Sequence, residues 1–190
     1  MPRIISGTAK GTHLLTPKGP ETRPTADRVK EALFSILQTG WPPDGFLDLY
    51  SGTGQIGLEA ASRGAGRVVL VESNKACCRV IIENAKKTRL MDQIQLIPRP
   101  VDQALLALRA KGETFDYIFA DPPYQKAESE LIRLSDLISN LLSENGFFIL
   151  EQEARQPVMT NVMHLQPVRC CQYGTAMLSF YRKAVSSCEP

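Results

Sequence analysis

The chain has 190 residues, 43% of them apolar and 22% charged, with a formal net charge of +2. That composition is enough for a buried core and ordinary for one globular domain with an appendage. It argues against a surface that is basic all over, and no window approaches ~18 uninterrupted apolar residues, so no membrane-spanning helix is expected.

The first twenty residues lack the apolar core of a signal peptide. The five cysteines include two adjacent pairs, Cys77-Cys78 and Cys170-Cys171, which suit neither a metal clip nor a disulfide. A cytoplasmic chain with buried or incidental thiols is expected. His13 and His164 stand apart from any Cys or carboxylate cluster, so no metal site is expected.

In chain order, RIISGTAKGTHLL (3–15) reads as two short extended pieces about a glycine-containing turn, a β-hairpin. KGPETRP (18–24) is a loop. Thr25 then caps a helix over 26–39, with Asp27 in its first turn and Val29, Leu33, Phe34, Ile36 and Leu37 on its apolar face. Residues 1–30 also carry Arg3, Lys10, Lys18, Arg23, Arg28 and Lys30 against Glu21 and Asp27, a locally basic end able to meet phosphate. TGWPPDG (39–45) breaks the pattern, and Trp41 reads as a packing anchor there. The division expected is an extension over 1–40 and a main domain over 41–190.

From residue 46 the pattern alternates. FLDLY (46–50), RVVLVE (67–72), QIQLIP (93–98), FDYIFAD (115–121) and GFFILEQ (146–152) read as strands. Helical segments at 55–64, 74–90, 101–111 and 127–142 separate them. Strands joined by helical crossovers make a parallel sheet. Residues 160–182 read as two strands joined near Gln172–Gly174, an antiparallel edge hairpin. Glu59 and Arg63 read as a surface pair one helical turn apart.

LDLYSGTGQIGLEA (47–60) follows the first strand of the alternation and opens a helix. Gly52, Gly54 and Gly57 satisfy G-x-G-x-x-G, which permits a tight turn and close approach of backbone to ligand. Glu72 ends the next strand and can accept hydrogen bonds from two ribose hydroxyls. The pattern fits a nicotinamide cofactor or a nucleoside such as S-adenosylmethionine. Asp48, inside the strand, would repel a pyrophosphate and suits a cationic amine or sulfonium; bonding to backbone is the other reading.

IFADPPYQ (118–125) ends the fourth strand of the alternation. In an open parallel sheet ligands lie outside the carboxyl ends of the strands, so Asp121 is expected on the same rim as the glycines and Glu72. Pro122 and Pro123 fix φ and remove N–H donors, leaving a rigid turn with carbonyl acceptors. The Asp121 carboxylate and the Pro122 carbonyl match the two hydrogens of an exocyclic amine, and Tyr124 offers a face on which a base can stack. An aromatic amine gripped in this way points its lone pair at an electrophile such as a sulfonium methyl. Asp121 either takes the departing proton or only orients the amine.

DLYSGTGQIGLEA, Glu72 and DPPY resemble the loop, ribose acid and amine-gripping motif of class I S-adenosylmethionine-dependent amino-methyltransferases. RIISGTAKGTHL and RPTADRVKEALF narrow the resemblance to the bacterial small-subunit ribosomal RNA methyltransferase D family, over roughly 3–182. The fold implied is a Rossmann-like α/β sheet, mostly parallel with a C-terminal antiparallel edge hairpin, preceded by a small β-hairpin and helix. The activity implied is methylation of the exocyclic N2 of a guanine in 16S rRNA, guanine 966 in conventional numbering. The alternative is an adenine-N6 methyltransferase acting on DNA or RNA. By position, the family implies cofactor contacts from Asp48, Ser51, Gly52, Gly54, Gly57 and Glu72, with Val101 or Asp102 near the adenine ring. Asp121, Pro122, Pro123 and Tyr124 match the catalytic motif. Arg3, Lys10, Lys18, Arg23 and Arg28 are the candidate RNA contacts, with Thr25 in the same segment. The expected partner is 16S rRNA or the small ribosomal subunit, met by a monomer.

Overall fold

Apolar runs of four to six residues are too short for helices that bury a face, and here they form the inner strands of a sheet. The computed structural model describes residues 2–17, 27–123, 127–160 and 162–184. Its chain forms two compact units, residues 1–104 and 105–190. No helix among the described residues is long and apolar enough to cross a membrane.

The first unit contains α1 (Asp27–Leu37), β1 (Gly45–Leu49), α2 (Gln55–Ser62), β2 (Arg67–Val71), α3 (Lys75–Thr88) and β3 (Ile94–Ile97). β1 pairs parallel with β2, Leu47 opposite Val69, and β2 pairs parallel with β3, Val68 opposite Ile94. Every residue of β1 is buried. This is why its sequence is a continuous apolar run broken only by Asp48, and not an alternation. The division between the units falls within α4 (Val101–Ala110).

The second unit contains β4 (Phe115–Ala120), α5 (Ala127–Leu141), β5 (Leu142–Glu153), β6 (Leu165–Tyr173) and β7 (Ala176–Lys183). β4 and β5 are parallel; β7 runs antiparallel to β5 and to β6. Leu131, Leu134, Ile138 and Leu141 are the buried face of α5, as their spacing predicts. The strand order is β3-β2-β1-β4-β5-β7-β6, the mostly parallel sheet with an antiparallel C-terminal hairpin expected from sequence.

Several boundaries differ. α1 ends at Leu37 and tightens into a 3-10 turn over Gln38–Gly40, and Ile36 is only half-buried. Thr25, the expected cap, lies outside the described residues. β5 starts at Leu142, because Leu142 already pairs with Phe115 before the register shifts between Phe115 and Tyr117. Gly146 sits at that irregularity, where an added Cβ would lie 3.0 Å from the Phe115 carbonyl oxygen.

The N-terminal segment is the largest departure. A single antiparallel bridge joins Arg3 to His13, with Ile4 N–H donating to Thr12 O (2.9 Å) and Leu14 N–H to Pro2 O (2.8 Å). No longer ladder forms, because the next donors are taken by α2. The Glu59 carboxylate accepts from Ile5 N (2.7 Å) and Ser6 N (2.9 Å), and Ser62 Oγ accepts from Ala9 N (2.9 Å). Gly7, at φ +82°, passes so close to α2 that an added Cβ would lie 1.7 Å from Ser62 O.

This corrects the reading of Glu59 and Arg63 as a surface pair. Glu59 is wholly buried; Arg63 Nε donates to it at 2.8 Å, and the buried Lys30 ammonium lies 3.7 Å away. Lys30 Nζ also donates to the Arg3 carbonyl, so this lysine faces inward and not toward a phosphate. Burial lowers its pKa, against the opposing pull of Glu59 and Asp27. Trp41 is the packing anchor expected, its indole N–H on Arg63 O at 2.8 Å and its ring edge-on to Phe34.

Candidate active site

The turn from β1 into α2 is built from backbone conformations that side chains resist. Tyr50 has φ 58°, Gly52 φ 55° and Gly54 φ 75°. The three glycines of the motif answer three different demands. At Gly57 a Cβ would lie 2.9 Å from Leu70 Cδ2 and 3.1 Å from Asp48 Oδ2, so α2 can pack onto β2 only without one. At Gly54 a Cβ would crowd Leu70 and Ile81 at 3.1 and 3.2 Å. At Gly52 the nearest atom would be Tyr50 O at 4.0 Å; the space beside it is open.

Polar groups then lock the turn. Ser51 donates through Oγ to Asp48 O (2.7 Å) and through its backbone N–H to Val71 O (3.0 Å). Asp48 is buried and its Oδ2 accepts from Gly57 N at 2.9 Å. Asp48 thus bonds to backbone through this oxygen, as one of its two readings has it. Glu72, half-buried just past β2, accepts Gly52 N–H on Oε2 (2.8 Å) and Asn74 N–H on Oε1 (2.7 Å). Each oxygen keeps a further lone pair. Asn74 in turn caps α3, its Oδ1 accepting from Ala76 N (2.8 Å) and Cys77 N (3.3 Å). The carboxylate thus joins the glycine turn to the start of the next helix.

Asn84 braces the same turn from α3, and nothing in its sequence context marks it. This fully buried amide donates to Thr53 O (3.0 Å) and Leu15 O (3.1 Å) and accepts from Leu15 N (2.7 Å). It substitutes for a strand neighbour of Leu15 and ties the N-terminal segment to the loop. Cys77 and Cys78 lie in the first turn of α3; burial, reinforced by Glu72, raises both thiols and keeps them protonated. At the start of α4, Val101 is buried and Asp102 half-buried. All these groups belong to the first unit.

In the second unit, Asp121 immediately follows β4 and is half-buried. Burial raises its carboxyl from the ordinary range to about 7. Pro122 is buried and Pro123 exposed. Tyr124 lies outside the described residues. Among the candidate RNA contacts, Lys10 and Arg28 are exposed. Arg3 is exposed but pairs with Asp27, Nε to Oδ2 at 3.2 Å. Lys18 and Arg23 lie outside the described residues.

The chain matches the family model described as conserved hypothetical protein 95 over residues 2–182. It is 33% identical over 183 residues to YlbH of Bacillus subtilis (strain 168), covering 95% of this chain and 98% of that one. It is 34% identical over 146 residues to the ribosomal RNA small subunit methyltransferase D of Escherichia coli (strain K12), covering 76% of this chain and 68% of the relative. Among solved structures, protein TTHA0928 of Thermus thermophilus superposes with a TM-score of 0.82 at 30% identity, covering 96% of this chain and 99% of that one. The match over residues 2–182 spans the segments RIISGTAKGTHL, RPTADRVKEALF and DPPY, and the chain belongs to the conserved hypothetical protein 95 family, which it shares with the ribosomal RNA small subunit methyltransferase D proteins.

Proposed function

We propose that the chain transfers a methyl group from S-adenosylmethionine to the exocyclic N2 of a guanine in small-subunit ribosomal RNA. The observation that carries this reading is Asp121: a carboxyl group at the end of a parallel strand, followed by two prolines, with its pKa raised to about 7. A carboxylate poised there accepts the hydrogens of an aromatic amine and can keep the proton released on methylation. The Pro122 carbonyl is the second acceptor, and Tyr124 the stacking platform.

The first unit fits the cofactor. The open space beside Gly52 admits a ligand against the backbone, and the spare lone pairs of Glu72 suit two ribose hydroxyls. Asp48, Ser51, Gly52, Gly54 and Gly57 would hold the methionine end, and Val101 or Asp102 would border the adenine. When bound, S-adenosylmethionine supplies a methyl group activated by its sulfonium. The protein's own task is placement: Asp121 and Pro122 fix the amine, and exclusion of water strengthens those contacts. Residues 1–40 hold the RNA, with Arg3, Lys10, Lys18, Arg23 and Arg28 meeting phosphates, and the target base leaves its stack to reach Asp121.

The test is digestion and mass spectrometry of small-subunit rRNA from cells lacking the protein. One N2-methylguanosine, expected at guanine 966, should be missing and should return with the wild-type chain but not with Asp121→Ala. Loss of an N6-methyladenosine instead, or full restoration by Asp121→Ala, defeats the reading.

A further inference from the structure

The first unit has a concave site that the chemistry above does not use. It is a cleft of about 370 Å³, whose walls include Ser6, Glu31, Phe34, Gln38, Trp41 and Arg63. α2 runs from Gly54 at the glycine turn to Arg63 at the cleft. At ~1.5 Å per residue its length sets the two roughly 12 Å apart. The cleft is therefore a separate site on the same unit.

Its walls are fixed in advance. Arg63 Nε is committed to the buried Glu59, and its guanidinium lies over the Phe34 ring, 4.6 Å from the centroid. Neither Nη group has a partner among the described residues. Trp41 is held by its indole N–H on Arg63 O and by edge contact with Phe34 at 5.3 Å. Glu31 adds an exposed carboxylate from the outer face of α1. The site thus offers flat surfaces, a forked cationic donor and an anionic acceptor.

That combination discriminates. A phosphate would use Arg63 but be repelled by Glu31. A simple amine would use Glu31 and leave Arg63 idle. A guanine presents two adjacent acceptors, O6 and N7, and two adjacent donors, N1–H and N2–H, on a plane that stacks on an indole or guanidinium. We propose that this cleft binds an unstacked guanine, either a base flanking the methylated one in the RNA or the base of a free guanine nucleotide. The first source rests on the proposed function; the recognition chemistry does not.

Trp41 is the only tryptophan of the chain, so its fluorescence reports on this cleft. Full-length protein would be titrated, without cofactor, with guanosine monophosphate, adenosine monophosphate and ribose 5-phosphate. A short single-stranded RNA carrying one guanine, and the same strand with that base removed, complete the series. Guanosine monophosphate or the guanine-bearing strand should quench Trp41 saturably, with adenosine monophosphate weaker by about fivefold or more. Tighter binding by the strand identifies RNA as the source; response to the mononucleotide alone identifies a free nucleotide.

Glu31→Gln, at an exposed position that folding does not depend on, should weaken guanosine monophosphate about three- to tenfold by removing one charge-assisted acceptor. Arg63→Lys should do likewise by losing the fork while keeping the charge beside Glu59. Equal quenching by the guanine and adenine nucleotides, quenching by ribose 5-phosphate alone, no saturable quenching by either guanine ligand, or unchanged affinity in Glu31→Gln overturns the assignment. Methyl transfer without Trp41 quenching would remove this inference alone; quenching without methyl transfer would remove only the proposed function.

Discussion

Asp121 is the residue whose charge is contested near neutrality, and the sign of that contest is fixed by burial. An unfolded aspartate titrates near ~3.9, whereas Asp121 in the fold titrates at about 7. The folded chain therefore holds a proton there that the unfolded chain has already released. Stability linked to this group is fully present below pH ~4, declines between ~4 and ~7, and is lost above that. Activity should move the opposite way, because only the carboxylate accepts both a hydrogen bond and a proton: kcat/KM should rise with pH to a plateau above about 7. Asp121→Asn should lower transfer by about a hundredfold or more, and it should gain stability over the wild type at pH 8 but not at pH 3. Urea unfolding at the two pH values and a pH profile of kcat/KM check this. An Asn variant that keeps the wild-type pH dependence of unfolding would place the titration on another group.

Between elements, the polar attachment of the N-terminal segment to α2 centres on one carboxylate. Glu59, itself wholly buried, serves two backbone N–H groups, Arg63 and the buried Lys30. Removing it leaves two amide donors without an acceptor and strips a buried ammonium of its buried carboxylate, with Arg3 O and the more exposed Asp27 still facing it. Glu59→Ala should therefore cost about 3–5 kcal/mol in urea unfolding, and hydrogen exchange at Ile5 and Ser6 should accelerate before exchange in β1 or β2 does. Uniform acceleration across the unit would mean that the segment is no separate latch. Sequence could not show this role. A Glu and an Arg four apart on a helix look like a solvent-facing pair, and only the arrival of the chain from Ile5 turns that face inward. Asn84 was hidden for the same reason, since its partners Leu15 and Thr53 are 69 and 31 residues away. The glycine turn was legible because its demands fall on residue type: positive φ at Gly52 and Gly54 and the tight approach of Leu70 at Gly57 all call for glycine, whatever the distance of the neighbour in sequence.

For the whole molecule, the alternation of apolar runs with helical segments carried the strand sequence and the parallel pairing, because buried strands must be nearly continuous in apolar residues. Charge is where the total misleads. The 22 Lys and Arg nearly cancel the 20 Asp and Glu, so the RNA binding proposed above calls for a few placed cations, those of the N-terminal segment in that proposal. Of these, Lys30 is consumed internally, and Arg3 is half-neutralised by Asp27. Lys10 and Arg28 remain exposed. Each phosphate contact to a single strand contributes ~0.7 to the slope of log K against log salt, and each to a duplex ~0.9. Replacing Lys10 and Arg28 together by Ala should therefore flatten the slope for rRNA binding by about 1.4 to 1.8. Arg3→Ala should flatten it by less than one contact's worth, since Asp27 already screens that charge. Filter binding across a salt series measures both. A slope unchanged in the double variant would move the phosphate grip away from the N-terminal segment, and with it the reason for that segment to be latched so firmly onto α2.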